Sequence, residues 1–302
     1  MKTFLLSLLV AAGFVFPSRA TAEEAKTYTL KLHRPPSVGD KSHEHFKISS
    51  EQSRKVSVGK RKLDENAEDF RGDFSGILEV LEISPHGKPL KVTLTVETFK
   101  CQNGVEAETE PFKAGTVITA KVGKDGKEEF SIPNGKIEET AEKVLKGVME
   151  MSKDRENDTT DDVVFGTDKP RAAGSEWSID NKAMAKSVPP DFPFKVTESE
   201  LSGTVKLAGM KSVDGAEHGI LQSKIDMKPS SINGLPPAFK ISSVSVKVTA
   251  EKLVPLDEKR LSPSDKMKME MHLNGTIDSP NGKATIEVFA RVEKETESKP
   301  VK

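Results

Sequence analysis

His43 and His45 stand on either side of Glu44, a spacing that on a β-strand puts both imidazoles on one face. With His33 as a third ligand from a preceding strand, the set could hold a transition-metal ion and serve a metal-dependent hydrolase. Such a centre also needs a carboxylate base, and Glu44 points to the opposite strand face. Lys41 and Lys47 flank the segment, so a solvated strand accounts for these histidines without a metal. A second candidate set is apolar. Met267, Met269 and Met271 alternate along one strand face, and methionine adapts to varied apolar shapes. Trp177 is the only tryptophan; it could stack on a ligand, or it could anchor the core of its half.

Other chemistry fails on spacing. Asp154, Glu156, Asp158, Asp161 and Asp162 form an acidic cluster, but a calcium loop started at Asp154 has Thr159 where glycine belongs and Phe165 where glutamate belongs. Cys101 is the only cysteine and has no histidine close by in sequence, so it reads as a structural thiol. No nucleophile elbow, phosphate loop or dinucleotide fingerprint is present, and no cofactor is implied. With 46 basic against 47 acidic residues, the chain lacks the basic excess that nucleic-acid binding demands.

The elements that must position these residues are antiparallel strands. Leu90, Val92, Leu94 and Val96 alternate with polar residues, and Ser84 to Lys88 forms a Pro/Gly turn before them. Lys124-Asp125-Gly126 joins two further strands. A basic run from Arg54 to Lys62 is answered by Asp64, Glu65, Glu68 and Asp69, as in a solvated strand pair. In the last hairpin, a two-residue Asn281-Gly282 loop would pair Ile277 with Ile286, Leu273 with Ala290 and Met271 with Val292, with every apolar side chain on one face. One helix is expected over 137–151, with Asn134 as N-cap. Ile137, Ala141, Val144, Leu145, Val148 and Met151 share its stripe. The fold class is therefore mainly β: antiparallel curved sheets, or a half-barrel built from hairpins, with one amphipathic helix.

Residues 1–22 have the parts of a secretory signal peptide: Lys2, an apolar run from Phe4 to Phe16, and Ala20-Thr21-Ala22 before the cleavage point. The mature protein is expected to be secreted or periplasmic, without a lipid anchor at that site, since no cysteine stands there. No later stretch is long and apolar enough for a spanning helix. The organisation reads as a β-rich half over 23–151, a polar linker over 152–162, a second β-rich half over 163–293 and a disordered tail over 294–302.

The halves echo each other. Arg34 to Asp40 matches Lys169 to Trp177, and Phe74-Ser75-Gly76-Ile77-Leu78 matches Leu201-Ser202-Gly203-Thr204-Val205, either as a duplication or as the shared grammar of hairpins. Gly39-Asp40 near the first strand, Lys169-Pro170 before Ala173-Gly174-Ser175-Glu176-Trp177, and the Gly123 to Gly126 hairpin resemble a family of secreted bacterial proteins of uncharacterised function, which carry a Gly-Asp-x-Trp-like motif at the midpoint. Ser175 stands where that motif has aspartate. The resemblance implies export and β-architecture, and it transfers no catalytic residue. The functional expectation is an exported, non-enzymatic, β-rich binding or structural protein whose concave face shelters an apolar small molecule or a partner segment; the alternative is the His-cluster hydrolase.

Overall fold

The computed structural model describes residues 26–149, 151–155, 159–188, 194–233, 235–236, 238–279 and 282–301; the expected signal peptide lies outside them. Among the described residues, no helix is long and apolar enough to cross a membrane. Eleven strands form one open antiparallel sheet. In chain order they are β1 (Lys41–Val58), β2 (Arg61–Ile83), β3 (Pro89–Asn103), β4 (Val117–Val122), β5 (Glu128–Ser131), β6 (Glu176–Ser178), β7 (Leu201–Val213), β8 (Ala216–Met227), β9 (Phe239–Pro255), β10 (Ser264–Ser279) and β11 (Gly282–Pro300).

In space the order runs β5-β4-β3-β2-β1-β11-β10-β9-β8-β7-β6. The chain starts at the centre and meanders out to one edge. It then crosses to the other edge and meanders back, so its last strand pairs with its first. The stretch expected as a disordered tail is a strand: residues 294–300 continue β11, with Lys294 opposite Ile48 and Pro300 opposite Ser42. Period-2 charge in Glu293, Glu295 and Glu297 is the mark of a strand with one polar face, and β1 supplies the neighbour that holds it.

Cross-strand rows show how the two faces divide. One row reads Phe99, Phe74, Phe46, Thr296, Asp265, Lys252, Leu221 and Leu207, from β3 across to β7. Its ends are apolar and its middle is polar, so the face carries two separate cores. In the first, the rings of Phe46, Phe74 and Phe99 stand 4.8 and 5.1 Å apart in succession. Helix α1 (Glu139–Val148) covers this core with Ala141, Val144, Leu145 and Val148, all buried. The helix lies close because Gly72 and Gly147 have no side chains: a Cβ at either would collide with Val144 or Ile48.

The second core gathers Leu201, Val205, Leu207, Leu221, Ile225, Val246 and Val254. Two helices beyond the expected one stand on its side of the chain, α2 (Asp161–Val164) and α3 (Asn181–Ser187). Asp180 caps α3 by accepting from the Ala183 amide at 2.9 Å, and Met184 and Ala185 of this helix pack against the second core. Asn134 does not cap α1, which starts after Glu138; positive φ at Gly135 keeps that stretch in a turn.

The expected boundaries also shift. Thr27 and Tyr28 pair with Ala172 and Arg171, and Leu30, 2% exposed, belongs to the second core. The chain then runs back to the first half. Arg34 donates to the carbonyls of Pro255, Asp257 and Arg260 at 2.5, 2.8 and 2.7 Å, and the Gly39 amide donates to Val80 at 2.8 Å. Residues 152–162 are not a loose linker where they are described. Asp154 accepts from Ser84 Oγ at 2.6 Å, Arg155 donates to the Ser187 carbonyl at 2.7 Å, and Asp162 is buried. The echoed glycines occupy like positions: Gly39 and Gly174 both have positive φ, and Gly174 donates to Leu207 as Gly39 does to Val80.

The last hairpin keeps its expected face but not its pairs. Ile277 stands opposite Ala284, Leu273 opposite Val288 and Met271 opposite Ala290, because Gly282 already pairs with Ser279. A shift of two residues leaves every side chain on its own face, and Leu273 and Ala284 are buried as burial arguments require.

Glu44 is a buried carboxylate on this same face. It sits at the β1–β11 seam, 7% exposed, and accepts from Ser298 Oγ at 2.5 Å. Burial pushes its carboxyl above the usual range, against the pull of hydrogen bonds from Ser298 and Ser42. A raised folded-state pKa contributes stability that is complete in acid and is lost as the pH rises through it. Glu44→Gln keeps a neutral hydrogen-bonding group there. The variant should withstand more urea than the wild type at neutral pH, with the gap closing as the pH falls below the ordinary carboxylate range. Midpoints that differ by the same amount at every pH would contradict this placement of the carboxyl.

Candidate functional site

The opposite face of the sheet is charged, and its charges alternate across the strands. The central row reads Lys100 (β3), Asp73 (β2), Lys47 (β1), Glu295 (β11), Lys266 (β10), Glu251 (β9), Gln222 (β8), Lys206 (β7) and Glu176 (β6). Directly opposed side chains in an antiparallel pair interact, so each unlike neighbour adds a little stability and fixes the register. Lys266 reaches Glu295 at 2.5 Å, Gln222 donates to Glu251 at 2.8 Å, and Lys47 lies 3.9 Å from Asp73. The hydrogen bond from Lys266 holds the Glu295 carboxyl below its ordinary range and raises the Lys266 ammonium above its own. Lys100, pulled up by the hydrogen bond it donates to Glu108 at 3.0 Å, ends the row on β3.

A cleft of about 810 Å³ lies along this face. Its lining comes from seven consecutive strands, β3 to β8 across the seam, and most of the lining side chains are those of the charged rows. A flat sheet would spread seven strands over about 29 Å at ordinary interstrand spacing. One continuous cleft across them requires the sheet to bend toward its charged face. The aliphatic stems of Lys47, Lys266 and Lys268 give the cleft apolar wall while their ammonium groups pair at the ends.

Met267 borders the cleft only by its place on β10 between Lys266 and Lys268; by register it shares the opposite face with Met269 and Met271. Met269 and Met271 pack against the second core, on the face away from the charged rows. Trp177 packs against that core too: its indole donates to the Phe165 carbonyl at 2.7 Å, and the Arg171 guanidinium lies 4.4 Å from its ring centre. It stands four strands from Met267, so the four residues do not form one pocket. Met269, Met271 and Trp177 thus contribute to packing, and helix α1 lies on the apolar face as well.

The histidines are also dispersed. His43 and His45 share the charged face as expected, but each takes its own carboxylate. Nε2 of His43 is 2.6 Å from Glu97, and Nε2 of His45 is 2.8 Å from Asp73. They line a small hollow of about 250 Å³ with Ser75, Glu297 and Lys299. His33 lies in a stretch without strand structure, where its amide bonds Asp162 at 3.3 Å. Among the described residues, no group of three or more His, Cys, Asp or Glu side chains is placed to hold a metal ion. Glu44 faces away from both imidazoles, into the apolar side. Cys101 borders the cleft but is buried, its thiol raised by burial and opposed by a hydrogen bond with Thr109.

The residues that sequence reasoning missed are the lysines and glutamates of the rows. Their signal was period-2 charge within each strand, such as Lys266, Lys268 and Glu270.

No protein-family model matches the chain, and no curated protein matches it. Among solved structures, the chain overlaps lipovitellin, from a study of its lipid–protein interactions, at 8% identity and a TM-score of 0.31, covering 88% of this chain and 26% of that one. The chain thus spans about a quarter of lipovitellin's length. It also overlaps the outer membrane protein OprG of Pseudomonas aeruginosa, at 6% identity and a TM-score of 0.15 over 89% of this chain and 100% of that one. An outer membrane channel of Pseudomonas putida F1 overlaps at 7% identity and a TM-score of 0.19, over 89% and 98%. Overlaps this loose establish neither a common fold nor a common ligand. Fold and site define a mainly β protein: an open, bent antiparallel sheet with its cores on one face and a charged cleft on the other.

Lys266 is the test of the charged row, since it faces Glu295 on one side and Glu251 on the other. Lys266→Glu would set three like charges side by side. Its urea midpoint should fall below the wild type at low salt, and the difference should fade at high salt as exposed charges are screened. A midpoint unchanged at low salt would show that the row is ornamental to stability.

Proposed function

We propose that the protein is an exported, non-enzymatic binding protein that receives an extended partner segment in the charged cleft. The observation that carries the reading is the cleft itself: one hollow of about 810 Å³ running across seven strands, long and open rather than a closed chamber. Its carboxylates are engaged. Asp73 meets His45 and Lys47, Glu108 meets Lys100, Glu251 meets Gln222, Glu293 meets Lys268 and Glu295 meets Lys266. Groups tied up in this way serve as a recognition surface, where complementary charge supplies specificity and register.

The same lining argues for a polar or amphipathic occupant over a wholly apolar one. An apolar molecule seated here would strip water from lysines and glutamates and return no hydrogen bonds. A segment with its own polar groups can lie along the lysine stems and still satisfy the charged ends. Met269 and Met271 serve the fold in this reading, and the signal-peptide pattern expected over residues 1–22 supports export.

Native mass spectrometry of the protein released under gentle conditions from its source tests the reading, with Thr249→Trp as the comparison. Thr249 is exposed on the cleft wall, and a tryptophan there fills the cleft while suiting a strand. The wild type should carry an additional bound mass that the variant lacks. A bare wild-type mass, or an equal bound mass on both proteins, would place the partner elsewhere or remove it.

A further inference from the structure

Arg71 and Lys224 both line the cleft, Arg71 from β2 and Lys224 from β8. Both are exposed, and neither side chain makes a hydrogen bond or ion pair among the described residues. Every other lining cation has a partner. The reason lies in their row, which is offset by one step from the alternating one. Arg71 stands between Ser49 and Gln102, and Lys224 stands between Thr204 and Thr249, so each cation has only neutral cross-strand neighbours. The cleft's carboxylates are already engaged, which leaves two positive charges unspent, one toward each arm of the bent sheet.

We infer that the partner is an acidic polypeptide segment, held at two points by Arg71 and Lys224; this rests on the cleft being the binding site. A single small anion cannot use both cations, since five interstrand steps separate them, about 24 Å along a flat sheet and less across the bend. An extended chain rises about 3.3 Å per residue, so some seven residues bridge the flat distance and fewer the bent one. Between the two cations, the hydroxyls of Ser49 and Thr249 offer hydrogen bonds to a peptide backbone, and the Glu293–Lys268 pair leaves no net charge to repel it. Arginine can grip a carboxylate with two parallel N–H donors, which fixes the segment's end as well as attracting it.

The test uses fluorescence anisotropy on the full mature chain with a labelled peptide of about eight residues, glutamates at both ends and Ser-Gly between. A second peptide carries glutamine at the ends, and phosphatidylglycerol vesicles form a third arm. The acidic peptide should bind about tenfold tighter than its neutral counterpart, and the paired change Arg71→Gln with Lys224→Gln should erase that advantage. The urea midpoint of the double variant should match the wild type, because neither side chain holds the fold together. Equal binding of both peptides that Thr249→Trp abolishes would keep the cleft as the site and overturn its acidic preference. No binding of either peptide would overturn the inference. So would vesicle binding that depends on the two cations while the peptides stay free, since that outcome assigns them to a lipid surface.

Discussion

The pairing of β11 with β1 holds the molecule together, and it is the costliest contact to form. Every other neighbour in the sheet is joined by a hairpin or a short excursion, so its loop-closure entropy is small. Strand β11 instead meets a strand more than two hundred residues upstream, in register from Ala284 opposite Val58 to Pro300 opposite Ser42. Without it there would be two meanders, each with a long unpaired edge along its innermost strand. Such edges invite pairing with other chains, and the seam removes both at once. Sheets dominated by contacts this distant in sequence fold slowly, since closure must precede the contacts that reward it.

The seam also divides the apolar face. Thr296, Asp265 and Lys252 interrupt the row between Phe46 and Leu221, and Lys252 meets Asp265 at 3.1 Å. Two cores result, one under α1 and one gathered around β7 and β8. The N-terminal segment ties them, with Leu30 in the second core, Arg34 bonded to three carbonyls at and just past the end of β9, and Gly39 joined to β2. On the other face the seam completes the charge alternation: Lys47 and Glu295 are neighbours only because β1 and β11 are. Fold and cleft thus depend on the same contact.

What could be read from sequence follows from range. Antiparallel hairpins, the apolar face of the last hairpin and the stripe of α1 are local patterns, and they appear where periodicity puts them. The tail from Lys294 is not legible as a strand locally, because Glu293-Lys294-Glu295-Thr296-Glu297 has no apolar face to bury; it is a strand only by virtue of β1. Short helices such as Asp161–Val164 carry too few residues to show a period. The site was less legible than the fold. Histidines and methionines draw attention by type, but here the imidazoles pair with Glu97 and Asp73 and the methionines pack. Arg71 and Lys224 stand out through what their cross-strand neighbours lack, which needs the register of six strands.

The account turns on the sheet bending around its charged face, for both the cleft and the two-point grip depend on it. Electron–electron distance spectroscopy measures that bend directly, with spin labels at Gln102→Cys on β3 and Lys224→Cys on β8 in a Cys101→Ser background. Both labels stand on the charged face, six interstrand steps apart. A bent sheet predicts a separation well short of the roughly 29 Å of a flat one. A distribution centred at or beyond that distance would mean an open, flat face, and no cleft for a partner to enter.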